Sequence, residues 1–121
     1  MQMNPSVIRE MLIQIEAHSA GAPVNRFTIE DLNEVEVMEH VQLLIDADFV
    51  EGKVIREGMG KPLRAVVMRM TFAGHQFLAN ARNNTVWKQV VAQAKDKGMS
   101  TSMTLINGLL EAAAKKYAGL E

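Results

Sequence analysis

The residues best able to bind a metal or move a proton in this chain are three histidines, His18, His40 and His75. They lie far apart, no His-x-x-x-His pair exists, and cysteine is absent, so the ligand spacing of a zinc site is missing. The run "GMGK" (Gly58 to Lys61) hints at a phosphate loop. A Walker loop, however, needs a glycine five residues before its Gly-Lys and Ser or Thr after it, where this chain has Ile55 and Pro62. No Gly-x-Ser-x-Gly elbow is present to raise a nucleophilic serine. The stretch "MTFAGHQFLANAR" (Met70 to Arg82) gathers Gly, His and Arg, but its spacing is that of a junction between a hairpin and a helix. No catalytic residue, metal or cofactor is expected, and the chain reads as a non-enzymatic protein.

The charge layout carries more information. Net charge is −1, yet residues 1–52 hold two basic and ten acidic side chains, while residues 53–121 hold eleven basic and four acidic ones. Such a split suits one face that seeks an anion and another that seeks a cation, or two halves that neutralise each other. The basic half begins with Lys53, Arg56, Lys61, Arg64 and Arg69, interrupted only by Glu57. Cations on a projecting hairpin are placed to meet nucleic-acid phosphates. The stretch from Glu30 to Glu51 is the reverse, with eight acidic residues and no Lys or Arg. Base reading in a DNA groove relies on Arg, Lys, Asn or Gln, so this stretch is poorly suited to it. Glu36, Glu39 and His40 cluster on what helical spacing makes the outer face, which suits solvent or a protein partner.

Local signals define the elements that position these groups. Asn4-Pro5 starts a helix, with Asn as cap and Pro at the first helical position. Val7, Ile8, Met11, Leu12 and Ile15 form its apolar face, and Gly21 and Pro23 end it. "VNRFTI" (Val24 to Ile29) predicts a short strand. "NEVE" (Asn33 to Glu36) is a capping-box variant that opens a helix to about Ala47, with Val37, Met38, Val41, Leu44 and Ile45 facing inward. "FVEGKVIRE" and "PLRAVVMRMT" predict two strands joined through the Gly-rich tip. Thr71 caps the next helix, whose Gly74, Phe77, Leu78 and Ala81 share one face. A glycine within a helix costs about 1 kcal/mol relative to alanine, so Gly74 on a buried face implies close approach by another backbone. Asn84 caps a helix that stops at Gly98, and a last helix spans about Ser102 to Tyr117, with Leu105, Ile106, Leu109 and Leu110 on one side.

With 121 residues, the chain suits one small fold. Apolar residues make up 48% and charged ones 22%, which excludes a disordered polyelectrolyte. No apolar run reaches the length of a membrane span, and the first residues lack a basic-then-apolar leader pattern. A bacterial or viral cytoplasmic setting is therefore expected. The nine methionines suit core gaps, and some suit adaptable protein contacts.

A helix leading directly into a Gly-tipped basic hairpin is the outline of a winged helix. The expected class is mainly α (α+β), with a winged-helix-like part over residues 1–83 and a two-helix C-terminal extension over 84–121. "LLIDADFVEG", a hairpin and then "MTFAGHQFL" resemble the winged-helix-regulator pattern, with Asp48 standing where that pattern usually has Gly. "HVQLLIDADFVEG", "MTFAGHQFLANARNNTVW" and the closing helix are similar to a phage- and prophage-associated family, domain of unknown function 2513. The resemblance implies a phage or prophage association and a fold, but no reaction. The expected function is binding: double-stranded DNA through the basic hairpin, as an accessory regulator. The alternatives are inhibition of a host protein complex through the acidic helix, and a dimerisation module. Under any of these readings part of the C-terminal leucine stripe is expected to pair two copies as a C2 homodimer.

Overall fold

The computed structural model describes residues 1–117. The elements run α1 (Pro5–Ala17), α2 (Glu34–Asp46), β1 (Val50–Arg56), β2 (Pro62–Met70), α3 (Phe72–Ala81), α4 (Asn84–Asp96) and α5 (Met103–Tyr117). The class is mainly α, α+β, with one antiparallel two-stranded hairpin.

Caps account for the helix starts. The Asn4 side chain accepts from the Ser6 amide with Pro5 at the head of α1, and Asn33 and Glu36 complete a reciprocal capping box on α2. The Thr71 hydroxyl accepts from the Gly74 amide at the start of α3. On α4 the cap is Asn83, one residue before the expected Asn84, and its side chain accepts from the Val86 amide. Asn83 takes the role because its backbone is the extended one, whereas Asn84 is already the first helical residue and gives its side-chain oxygen to Arg9.

α2 ends in a Schellman turn. The Phe49 amide bonds to the Leu44 carbonyl and the Asp48 amide to the Ile45 carbonyl. Asp48 takes φ 61°, the left-handed conformation that glycine usually supplies at this point. Aspartate is among the few side chains that tolerate it. The chain then enters β1 directly.

Buried side chains from α1, α2, the hairpin, α3, α4 and α5 form a single cluster. It contains Ile15, Leu44, Phe77 and Leu78, which helical spacing places on inward faces, together with Trp87 of α4. Phe77 stacks on Phe49 with ring centroids 4.9 Å apart and meets Trp87 edge-on at 6.3 Å. Met11 is fully buried, whereas Met59 and Met68 are exposed. Gly74 sits where the α3 backbone meets that of Phe49: a Cβ there would overlap the Phe49 carbonyl oxygen and lie 2.7 Å from Met70 Cγ. Close backbone approach at Gly74 is thus the reason for a glycine inside α3.

One predicted element is absent. Of "VNRFTI", only Val24 pairs, exchanging two 2.8 Å backbone bonds with Val67. The segment then leaves β2 because α1 holds it. The Gln14 side-chain amide donates to the Thr28 carbonyl at 2.9 Å and accepts from the Thr28 amide at 3.1 Å, satisfying the groups a strand would have used.

Candidate nucleic-acid interface

The five expected cations all stand on the hairpin, but they are not equivalent. The tip is closed by the Glu57 amide bonding to the Lys61 carbonyl and the Gly60 amide to the Glu57 carbonyl. In the β1–β2 register Glu51 faces Arg69, Lys53 faces Val66 and Ile55 faces Arg64. Residues directly opposed in this way share one face of the ladder. Arg69 is therefore beside Glu51, and the two form an exposed ion pair at 3.0 Å.

Arg56 turns toward α2. Its guanidinium grips Glu39 through both terminal nitrogens, at 2.6 and 3.2 Å, and also donates to the Gly60 carbonyl at 3.0 Å. The hydrogen bond from Arg56 holds the Glu39 carboxyl below the usual glutamate range, and its Coulomb attraction adds to the effect. Arg56 is raised in turn by the hydrogen bond to Glu39. A residue expected to meet DNA and one expected to meet a protein thus occupy each other. Lys53, Lys61 and Arg64 are exposed and, among the described residues, have no carboxylate at ion-pair distance.

The acidic trio on α2 is divided by the fold. Glu36 is spent on the capping box, accepting from the Asn33 amide. Glu39 holds Arg56. His40, expected on the outer face, is completely buried. Its Nε2 accepts from the Asn4 amide at 3.1 Å, and Nδ1 lies 2.8 Å from the Glu36 carbonyl. That pairing assigns the neutral ring with its proton on Nδ1. The physical reason is the residue that caps α1: Asn4 lies over this side of α2, and its backbone amide takes His40 as its acceptor. His40 is therefore a structural tie between α1 and α2, not a contact for a partner. The carboxylates of this segment left exposed and outside the ion pairs are Glu30, Asp31, Glu34, Asp46 and Asp48, with Asp46 accepting from Gln42.

Two further ties have no local sequence signal. Arg9 donates to the Ala81 and Arg82 carbonyls at the end of α3 and to Asn84, and its guanidinium lies 5.5 Å from the centre of the Trp87 ring. Arg82 reaches Glu16 at 2.6 and 2.8 Å. Both join α1 to residues more than sixty positions away, which only the tertiary fold brings near. Among the described residues no group of three His, Asp or Glu is placed to hold a metal ion.

Three exposed cations outside the ion pairs of the described residues thus stand on a hairpin that directly follows a carboxylate-rich helix. Comparison with known families assigns the chain. The family described as Hypothetical protein (DUF2513) matches residues 2–100. The chain belongs to that family. The match takes in α1 through α4 and stops before α5, so the likeness expected of the closing helix lies outside it. No curated protein and no solved structure matches the chain. No helix among the described residues is long and apolar enough to cross a membrane.

Proposed function

We propose that this DUF2513 protein is a non-enzymatic binding protein of winged-helix type, a phage- or prophage-associated accessory regulator that contacts double-stranded DNA through its hairpin. The observation that carries this reading is the set of three exposed, unpaired cations, Lys53, Lys61 and Arg64, on a hairpin fed directly by α2. Such side chains neutralise phosphates without reading bases. Sequence readout through α2 has little support, because its charged side chains are carboxylates and its histidine is buried. Binding is therefore weak, tolerant of sequence and steeply dependent on salt.

The test is fluorescence anisotropy with a labelled random-sequence duplex at low salt. With three available cations per chain, log affinity falls against log salt with a slope no steeper than about −3. Reversing Lys53, Lys61 and Arg64 together to Glu abolishes binding, and circular dichroism of the variant stays that of the parent because all three are exposed. Equal binding by the variant overturns the hairpin as the contact. Failure of the parent to bind favours the second reading, inhibition of a host protein through α2. That reading rests on the exposed carboxylates Glu30, Asp31, Glu34 and Asp46 in a segment without a cation.

A further inference from the structure

β2 has two edges: one pairs with β1 along most of its length, and the other pairs only at Val67. Backbone groups along a strand alternate between its two neighbours, so residues two apart point to the same side. Val67 gives both its amide and its carbonyl to Val24, on the edge away from β1. The register from Val67 to Arg64 is regular, so Ala65 presents its amide and carbonyl to that same outer edge. Among the described residues neither group of Ala65 has a backbone or side-chain partner there. The segment that could have covered it is held away by Gln14 through Thr28.

A groove of about 630 Å³ opens in the wedge thus formed, between residues 25–29 and 63–66 and the start of α2. Its apolar lining is Phe27, Ile29, Leu32, Val37, Met38 and Leu63. Arg26 and Arg64 also line it, both exposed and, among the described residues, free of ion pairs. Glu34 is the one carboxylate in the lining. A free strand edge beside an apolar groove is the arrangement by which a sheet accepts an added strand: main-chain bonds supply affinity and alternate side chains fill the groove. The two arginines select the charge of the guest.

We propose that this groove docks an extended acidic segment of a partner protein, which pairs with the outer edge of β2 at Ala65. The segment sends apolar side chains toward Phe27, Met38 and Leu63, and its carboxylates meet Arg26 and Arg64. This site shares Arg64 with the duplex contact, which also uses Lys53 and Lys61, but it rests on the groove and the strand edge and not on the DNA reading.

The probe is a capped heptapeptide alternating valine with glutamate, titrated into the uniformly ¹⁵N-labelled full chain and followed by amide chemical shifts. The expected result is saturable perturbation confined to residues 25–38 and 63–67, with the Ala65 amide becoming slow to exchange. A heptapeptide alternating valine with lysine binds less well. Arg26→Glu, an exposed change, weakens the acidic peptide about fivefold by replacing attraction with repulsion. The same change leaves duplex binding at its parental level, so failure of this proposal and failure of the DNA reading are distinguishable. Methylating the central amides of the acidic peptide abolishes binding, because strand addition needs those donors. No binding by the acidic peptide, equal binding of both peptides, unaltered binding by the methylated one, or perturbed amides elsewhere would each overturn it.

Discussion

The same substitution, glycine to alanine within a helix, should have opposite effects at two places in this protein. Alanine is favoured over glycine by about 1 kcal/mol in a helix interior. At Gly108, in α5, an added Cβ meets nothing within 4 Å, so Gly108→Ala should stabilise by close to that amount. At Gly74 the Cβ would overlap the Phe49 carbonyl oxygen, with Met70 Cγ at 2.7 Å and the Phe49 carbonyl carbon at 3.0 Å. Met70 can rotate, but the carbonyl cannot move freely, because it accepts from the Thr71 amide at 2.9 Å and Thr71 caps α3. Overpacking costs roughly 1–3 kcal/mol. Loosening the Thr71–Phe49 bond and the cap adds about 1 kcal/mol each. After the gain in propensity, Gly74→Ala should be destabilising by about 2–4 kcal/mol. Urea unfolding followed by circular dichroism measures both, with the slope checked for constancy so that the midpoint reports stability. A Gly74→Ala midpoint equal to or above that of the parent would refute the close approach of the α3 and Phe49 backbones.

Trp87→Ala should cost about 3–5 kcal/mol, since the ring is buried against Phe77 and covered by Arg9; an unchanged urea midpoint would place the indole in solvent. Acid should destabilise through Glu16 and Glu39, whose carboxyls are held low by hydrogen bonds from Arg82 and Arg56 respectively. A group depressed in the folded state stabilises above its ordinary value, here 4.5, and loses that contribution as pH falls through the folded value. The double Glu16→Gln, Glu39→Gln variant should therefore show a shallower acid limb in thermal melts, and an identical limb would discount both pairs. In α5, Ile106 and Leu110 are consumed inside the chain, while Leu105 and Leu109 stay half-buried. Light scattering at high micromolar concentration should give the mass of a C2 dimer that Leu105→Glu, Leu109→Glu dissociates; a parental mass of one chain sinks that expectation.

Much of the architecture is local information. Asn4-Pro5, Asn33 with Glu36, and Thr71 satisfy helix amides within a few residues of themselves, so these starts are readable without knowing the fold. The apolar spacing likewise marks the faces of α1, α2, α3 and α5, because the period of a helix sets which side chains can be buried together. The hairpin follows from its two β-prone runs and Gly-rich tip, and Gly74 in an otherwise good helix betrays a neighbour without naming it.

What could not be read depends on which distant groups come near. Val24–Ile29 has strand composition, but a strand also needs its backbone groups free, and Gln14 takes those of Thr28. His40 stands one position from Val41 on the same helix, so periodicity leaves it at the margin of the buried face. The Asn4 amide, arriving from α1, decides that it goes in. The charge map changes for the same reason. The composition counts five hairpin cations, whereas pairing across the fold removes Arg56 to Glu39 and Arg69 to Glu51. Long-range ion pairs leave no periodic trace, since a charged side chain is tolerated on any exposed face whether or not an opposite charge lies across from it. The outer edge of β2 is open on similar grounds: it is a consequence of where α1 holds Thr28, a contact that neither stretch encodes on its own.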